Sequence, residues 1–208
     1  MSYAEAPVLA NEFVELQPLH AGHHDDLAAA VSDGEIWRAW YTRVPSPETM
    51  AAEISRRTAR AAAGEIAAWA VVDPSAGRAV GMTTYLHLDP ANRRLEIGST
   101  WLARSAQGTG INPAAKLLLL SRAFEDLGCI AVEFRTHWHN RQSRAAIAKL
   151  GAKQDGVLRN HTVFENGTVR DTVVFSIIDG EWPTVRLDLT ERLAALVRAR
   201  ESAPGGSA

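Results

Sequence analysis

Gln107 to Asn112 form a short run of small and polar residues with the composition of a phosphate-binding loop. The run follows a predicted strand over 95–102 and precedes a long apolar segment that is typical of a buried helix. Main-chain N–H groups at a helix N-terminus favour an anion, and Gly108 and Gly110 allow the chain to approach a phosphate closely. A nucleotide P-loop would need Gly-Lys-Ser/Thr and a dinucleotide fingerprint a third glycine, and neither is present. The loop alone leaves two interpretations open, a pyrophosphate site or an ordinary strand-to-helix turn.

A group of histidines could in principle bind a metal. His20, His23 and His24 could share one face of a predicted helix at the spacing of metal ligands. No cysteine lies near them, and Asp25 and Asp26 indicate a polar, solvated helix start. We therefore predict no metal site.

The hydrophobic pattern predicts the elements that position the loop. A strand and two helices come first, followed by three consecutive strands, a helix, a strand, a helix, a hairpin around Asn166-Gly167 and a last helix. This order is neither strict βαβ alternation nor all-β, and it predicts an α+β fold, a mixed sheet with helices on both sides. The predicted strands cover 11–16, 66–72, 79–88, 95–102, 130–136, 157–165 and 168–178, and the predicted helices cover 20–32, 46–63, 113–127, 141–150 and 185–200.

Two local details concern the surroundings of the loop. Asn112 is predicted to cap the helix that follows, with Pro113 in its first turn. The preceding strand should alternate between two faces. One face is predicted to carry Leu95, Ile97, Ser99 and Trp101, and the other Glu96 and Gly98.

Composition and charge exclude several classes of protein. The chain has 22 Lys+Arg and 24 Asp+Glu, a formal net charge of −2, so no basic field would attract nucleic acid. Cys129 is the only cysteine, which excludes an internal disulfide. No apolar run approaches the roughly 20 residues of a membrane span, and the first residues lack the order of a signal peptide. We expect a cytoplasmic protein that binds neither nucleic acid nor a membrane.

One domain is expected over 11–183, with a C-terminal amphipathic helix at 184–200 packed on it. Residues 1–10 and 201–208 have the composition of flexible termini. The hairpin and the apolar face of the last helix would leave surface that needs cover, which predicts a homodimer.

The motifs, taken in order, resemble the GNAT acetyltransferase superfamily. Gln107-x-x-Gly110-x-Asn112 is similar to the acyl-CoA pyrophosphate loop of that family, and Asn140-x-x-Ser143 followed by Leu-Gly151 is similar to the helix beside pantetheine. The resemblance covers roughly residues 11–185 and is narrower toward the RimJ/RimL branch, which includes ribosomal-protein alanine N-acetyltransferases. That branch is indicated by the runs Asn112-Pro-Ala-Ala-Lys116, Asp155-Gly-Val-Leu-Arg159, Asn166-Gly167, Arg170-Asp171-Thr and Glu181-Trp182-Pro183.

The resemblance implies a mostly antiparallel, twisted sheet of about seven strands and acetyl-CoA as cosubstrate. A primary amine would attack the thioester directly, with a main-chain N–H near Gly98 to Trp101 polarising the carbonyl. Asn140 would hold pantetheine, or act only as a helix N-cap. The pyrophosphate would be held by Gln107, Gly108, Thr109, Gly110, Ile111 and Asn112.

Two departures from the family pattern affect the catalytic residues. Asn112 stands where the loop commonly has Gly or Ala, and Ala148 stands where many members have a tyrosine acid. Ser143, one turn beyond Asn140, is the nearest substitute that could assist the departing thiolate, and otherwise it is a surface serine. Glu96 or a water could take the proton of the amine, and otherwise Glu96 is an ordinary strand-face acid.

The acceptor divides the functional hypotheses. A protein N-terminus, such as that of a ribosomal protein, needs an open groove, whereas a small amine such as an amino acid, polyamine or antibiotic needs a closed pocket. A CoA-binding domain without turnover is a third possibility, because the tyrosine is missing. Trp37, Trp40 and Tyr41 could wall an acceptor groove or simply pack in the core, and His137 or His139 could touch substrate or cofactor.

Overall fold

Eight strands form one sheet in the computed structural model, which describes residues 2–202. The strands are β1 (Leu9–Ala10), β2 (Glu15–Pro18), β3 (Ala67–Asp73), β4 (Arg78–Asp89), β5 (Arg94–Leu102), β6 (Ala131–His137), β7 (Lys153–Val163) and β8 (Val169–Ile178). Their order is β1-β2-β3-β4-β5-β6-β8-β7, and only β5 and β6 run parallel. The predicted α+β class and mostly antiparallel sheet are confirmed. The sheet has one strand more than predicted because Leu9–Ala10 pairs with β2 at its edge.

Helices cover both faces of the sheet, as predicted. They are α1 (His24–Ser32), α2 (Met50–Ala62), α3 (Ile111–Ser121), α4 (Arg141–Ala148) and α5 (Trp182–Ser202). Thr84 and Tyr85 are consecutive in β4 and so point to opposite faces. Arg57 of α2 donates a hydrogen bond to Thr84 Oγ1, and Tyr85 Oη donates to the Leu119 carbonyl of α3 at 2.5 Å. The α2 face and the α3 face of the sheet are therefore distinct.

The last helix packs on the α3 side and begins earlier than the expected 184–200. It starts at Trp182, whose ring stacks on Phe124 at 5.4 Å between centroids. Val185, Leu189 and Leu193 recur along one stripe of α5 and are buried. The proposed boundary between a domain at 11–183 and this helix stays a prediction.

Residues 2–10 make several hydrogen bonds to distant parts of the chain, while the prediction of a flexible lead-in stays a prediction. Trp69 Nε1 donates to the Pro7 carbonyl at 2.8 Å, and Tyr3 Oη donates to the Leu127 carbonyl at 3.3 Å. These partners are distant in sequence, which is why local composition could not reveal them. At the other end, Glu201 and Ser202 continue α5, and the rest of the predicted tail lies outside the described residues.

The helix after the loop begins before the predicted cap. Gly110, with φ of 100°, is the N-cap of α3, so Asn112 and Pro113 lie inside the first turn. A glycine can adopt this left-handed conformation without the steric cost that a side chain would add. The helix then ends at Ser121 in a π-helical turn over Arg122–Asp126 instead of running on to residue 127.

Candidate active site

The two parallel strands separate soon after they meet. Only three pairs join β5 and β6, and the last of them is Glu96 with Glu133. Beyond it, β5 pairs only with β4 and β6 only with β8. We call the gap between residues 97–102 and 134–137 the wedge. Facing strand edges that do not pair with each other leave main-chain donors and acceptors available to a ligand.

A β-bulge distorts β5 on the side of the wedge. Thr84 pairs with Gly98 and Met82 with Trp101, so one residue of β4 lies opposite two of β5. Ser99 has φ of 48°, and Ser99 and Thr100 are exposed. The extra residue brings Trp101 to the face of Gly98, so the expectation that it shares a face with Ile97 is wrong. Bulges leave main-chain groups outside the ladder. One such group could be the N–H donor that is expected near Gly98 to Trp101.

The loop at 107–112 presents unpaired N–H groups at the mouth of the wedge. Within residues 2–202, no protein acceptor hydrogen-bonds the main-chain N–H groups of Gly108, Thr109, Gly110 and Asn112. The first turn of α3 contains no acidic residue, and its N-cap glycine offers no capping side chain. Unsatisfied N–H groups and the positive end of a helix dipole are the recipe for anion binding.

Side-chain hydrogen bonds hold this loop in place. Gln107 Nε2 donates to the Leu102 carbonyl at 3.1 Å, and Gln142 Nε2 donates to Gln107 Oε1 at 3.1 Å. Since Gln142 lies in the first turn of α4, the second bond ties the loop to that helix. Arg200 of α5 donates to the Thr109 carbonyl at 2.9 Å. The N-termini of α3 and α4 are thereby fixed on the same side of the sheet.

The two glycines of the loop have different surroundings. A Cβ added to Gly110 would lie 3.0 Å from Phe13 Cδ1 and 3.0 Å from Leu196 Cδ1, whereas one added to Gly108 would meet no atom of residues 2–202 within 4 Å. Both have positive φ. The glycine at 110 is thus required by packing inside the protein, and the interpretation that it is needed for close approach of a phosphate suits Gly108 better.

Asn140 and Ser143 form the start of α4. Asn140 Oδ1 accepts a hydrogen bond from the Ser143 N–H at 3.0 Å, so Asn140 is the N-cap. Ser143 is half-buried, and its hydroxyl makes no hydrogen bond to another described residue. Ala148 is exposed at the end of the helix. No contact brings Ser143 to Glu96, so the two predicted catalytic residues belong to separate parts of the site.

Glu96 is a buried carboxylate beside the bulge. Its side chain is 6% exposed, and Oε2 lies 2.8 Å from His87 Nδ1 and 3.5 Å from Arg135 Nε. Oε1 lies 2.5 Å from the position that a Cβ on Gly98 would occupy. The carboxylate therefore needs a glycine at 98 and contacts the strand where the bulge begins. The hydrogen bond that His87 donates to Glu96 raises the pKa of His87, whose side chain is 65% exposed.

A cavity of about 730 Å³ lies on the α2 side of the sheet. We call it the aromatic cavity. Glu53 in its wall accepts a hydrogen bond from Arg57, which also donates to Thr84, the register partner of Gly98. The cavity thus adjoins the bulge through one chain of contacts. Its lining includes Trp37, Trp40, Arg43, Glu53, Arg56, Phe164, Glu165 and Asn166.

Aromatic rings meet at the edge of this cavity. Trp40 packs edge-on against His137 with 5.3 Å between centroids, and Phe164 lies 5.6 Å from the same histidine. Trp40 is 48% exposed, so the wall interpretation fits it better than core packing. His137 is buried, and its Nε2 has no hydrogen-bond partner among the described residues. Burial lowers the pKa of His137.

Sequence reasoning missed two residues in this region, Glu53 and Lys116. Glu53 could have been singled out by its i, i+4 spacing from Arg57 on α2. Lys116, quoted above only as part of a motif, is fully buried under the bulge, and its Nζ donates to Thr100 Oγ1 at 2.8 Å. No periodicity signal separates such a lysine from a surface lysine, because the residues around it in α3 are apolar on most sides.

The histidines weighed in the sequence analysis as possible metal ligands make other contacts. His20 Nδ1 accepts from the Gly22 N–H at 3.1 Å, and His23 Nε2 lies 3.0 Å from Gln17 Oε1. Among residues 2–202, no group of three His, Cys, Asp or Glu side chains is arranged to hold a metal ion. Nor does any helix in that range have the length and apolar character needed to cross a membrane.

Comparison with known proteins agrees with this geometry. The family model described as acetyltransferase (GNAT) domain matches residues 14–153. The chain belongs to the GNAT acetyltransferase family, which confirms the resemblance read from its motifs.

Individual relatives carry more specific names. A Bacillus subtilis (strain 168) protein named "Putative ribosomal N-acetyltransferase YdaF" is 35% identical over 106 residues, which are 51% of this chain and 57% of that relative. A GCN5-related N-acetyltransferase from Brucella melitensis is 27% identical with a TM-score of 0.79, covering 90% of this chain and 85% of that one. RimJ of Mycobacterium smegmatis, solved with CoA-disulfide, is 21% identical with a TM-score of 0.73, covering 90% and 93%, and supports the fold alone.

Proposed function

We propose that this protein transfers an acetyl group from acetyl-CoA to a primary amine by direct attack on the thioester. The observation that carries the proposal is the wedge, which has free N–H groups at its mouth and a bulge with a buried carboxylate at its closed end. An acyl-CoA is an extended chain of amides with a pyrophosphate at one end and a thioester at the other. Those groups match the donors that the chain supplies, in the same order.

The loop and α4 would hold the cosubstrate. The N–H groups of Gly108, Thr109, Gly110 and Asn112 are available to the pyrophosphate, while Gln107 and Ile111 fix the geometry of the turn. Asn140 uses its Oδ1 for capping, which leaves its amide NH₂ for a pantetheine carbonyl. Acetyl-CoA would supply the activated acetyl group, and we propose no metal.

The bulge and Glu96 would serve the reacting atoms. A main-chain N–H of residues 98–101 would donate to the thioester carbonyl and stabilise the charge that develops on its oxygen. Glu96 would take the proton of the amine, directly or through a water, because its Oε1 faces the bulge at Gly98. Ser143 would assist the departing thiolate in place of the tyrosine that Ala148 replaces.

The aromatic cavity is proposed to bind the acceptor. Its volume suits a few residues of a peptide, and Glu53 could attract a cationic amine. Two hydrogen bonds join its walls, Arg43 to the Val163 carbonyl at 3.2 Å and Asn166 to the Trp40 carbonyl at 3.4 Å. A protein N-terminus is the favoured acceptor, and the ribosomal relative's name agrees with it. A small amine remains the second candidate because the walls are bridged.

A cytoplasmic homodimer is proposed for the assembled protein. Val163 and Val169 are 67% and 50% exposed at the hairpin, and Leu187 is 62% exposed on α5. Such apolar surface near an edge strand favours association of two copies. Light scattering at micromolar concentration tests this, and a monomer would contradict it.

Release of free thiol tests the proposed activity. Purified protein is incubated with acetyl-CoA and, separately, with candidate peptide N-termini, amino acids, polyamines and amino-sugar antibiotics, and the products are checked by mass spectrometry. Acetylated peptides would support the favoured acceptor, and acetylated small amines would support the second candidate. Tight binding of acetyl-CoA without thiol release across the panel would favour a binding domain without turnover and contradict the proposal.

A further inference from the structure

Lys116 is a buried cation that the proposed reaction does not use. Its side chain leaves α3 toward the sheet, and the residue is 5% exposed. Its Nζ donates to Thr100 Oγ1 at 2.8 Å, and no carboxylate forms an ion pair with it among residues 2–202. Burying an ammonium group without a counter-ion is unfavourable. A methionine or leucine would fill the same space without the cost of desolvating an ammonium group, which indicates that the lysine has a specific role.

The hydroxyl that accepts from Lys116 belongs to the bulge itself. Thr100 and Ser99 are the two residues of β5 opposite one residue of β4. Thr83, that one residue, completes a short polar chain, because its Oγ1 lies 2.8 Å from Thr100 Oγ1. The chain Lys116–Thr100–Thr83 therefore spans α3, the bulge and β4. It contacts the bulge from the α3 face of the sheet, while the wedge lies along the edge of β5 that does not pair with β4.

The surroundings of Lys116 contain little else that could compensate its charge. Among residues 2–202, Nζ donates to the neutral Thr100 hydroxyl on β5, which in turn contacts the neutral Thr83 hydroxyl on β4. Burial alone lowers the pKa of Lys116 to about 7. An anionic ligand in the wedge would be the missing compensation, because negative charge near the bulge favours the ammonium form.

We propose that Lys116 is a positioning residue that holds the β5 bulge in its acyl-transfer geometry through Thr100. The proposal rests on the proposed function for its effect on rate, and on the hydrogen-bond chain alone for its effect on the bulge. Lys116 does not touch the reacting atoms. It acts by keeping the main-chain donors of residues 98–101 in one orientation.

Three variants test the proposal. Lys116→Met keeps the volume and removes the ammonium, Thr100→Val removes only the accepting hydroxyl, and Lys149→Met makes the same change at an exposed lysine of the α4 C-terminus. We expect the first two to lower kcat at least tenfold and to leave the dissociation constant of acetyl-CoA within about threefold. The double variant should lose no more than Thr100→Val alone, because that substitution already removes the bond from Lys116. Lys149→Met should match the wild type.

Stability separates positioning from plain packing. Lys116→Met should melt at the same temperature as the wild type or higher, since an apolar group replaces an uncompensated buried charge. A lower kcat accompanied by a lower melting temperature and a weaker affinity for acetyl-CoA would indicate general damage to the fold. That result would overturn the proposal. An unchanged kcat in Lys116→Met would overturn it as well.

If the wild type shows no turnover with any amine, the proposed function is contradicted but the positioning role is not. Hydrogen exchange then tests the positioning role without an activity measurement. Exchange at the amides of residues 97–102 should be faster in Lys116→Met and Thr100→Val than in the wild type and Lys149→Met. Equal exchange in all four proteins would show that the bulge does not depend on Lys116.

Discussion

The proposed cofactor side and the proposed acceptor side of this molecule are built from different kinds of contact. The proposed cofactor side consists mainly of main-chain features. These are the free N–H groups of the loop at 107–112 and the parallel strand pair that opens after Glu96. On the acceptor side, side chains from distant segments meet, as when Asn166 bonds to the Trp40 carbonyl across 126 residues of sequence. Main-chain donors would suit any acyl-CoA, whereas a site built from side chains could change its acceptor through a few substitutions.

The largest expected loss of activity is at Glu96, which lies between the proposed cofactor side and the proposed acceptor side. Glu96→Gln keeps the shape of the side chain and removes its basicity, so kcat should fall by about 10²–10⁴ while acetyl-CoA binds nearly as before. Steady-state rates from pH 6 to 9 and calorimetric binding measure both quantities. A full kcat across that range would return Glu96 to a structural role and leave water as the base.

The two loop glycines sharpen the account of the cofactor side. Gly110→Ala should cost about 2–5 kcal/mol of folding free energy, because the clash of the new methyl with Phe13 and Leu196 adds to the strain of a left-handed backbone. Gly108→Ala should cost only the backbone strain, about 1–2 kcal/mol, and should weaken acetyl-CoA binding because its methyl points into the open space by the loop. Urea unfolding and calorimetry compare them. Equal stability losses would contradict the packing role of Gly110.

Trp40 tests the acceptor side alone. Trp40→Ala removes a wall of the aromatic cavity and should raise the KM for the acceptor about tenfold, the equivalent of about 1.4 kcal/mol, without changing the affinity for acetyl-CoA. Ile178→Ala removes an apolar side chain of similar exposure, at the end of β8 that pairs with Ala131 and not with His137, and serves as the control. An acceptor KM that is the same in Trp40→Ala and wild type would place the acceptor elsewhere.

His87 should give the smallest effect, visible only as a pH dependence of stability. Its pKa is raised in the folded state by the hydrogen bond to Glu96, with Arg135 opposing and Glu133 adding to the shift. A raised pKa stabilises the fold below the unfolded value of about 6.5 and the benefit disappears as the pH rises through the folded value. His87→Gln should therefore be less stable than wild type at about pH 6, by less than about 1 kcal/mol because the ring is largely exposed. A difference that grows toward pH 9 would contradict this.

The sequence predicts the loop at 107–112 better than the aromatic cavity, because the loop depends on neighbouring residues and the cavity on distant segments. The strand, glycine loop and apolar helix are consecutive, so Gln107 to Asn112 carry their own signal. The bulge at Ser99 has no local signal, and alternation consequently placed Trp101 on the wrong face. The hydrogen bonds of residues 2–10, the aromatic cavity and the buried Lys116 all depend on contacts between distant segments, which composition and periodicity do not encode.

Amide protection by acetyl-CoA tests the central claim, that the wedge is the cosubstrate site, most directly. Hydrogen exchange is measured with and without saturating acetyl-CoA. We expect slower exchange in the loop at 108–112 and along β5 at residues 97–102, with exchange in the cavity wall at residues 37–45 unchanged. Protection of that wall with no change in the loop or in β5 would contradict it.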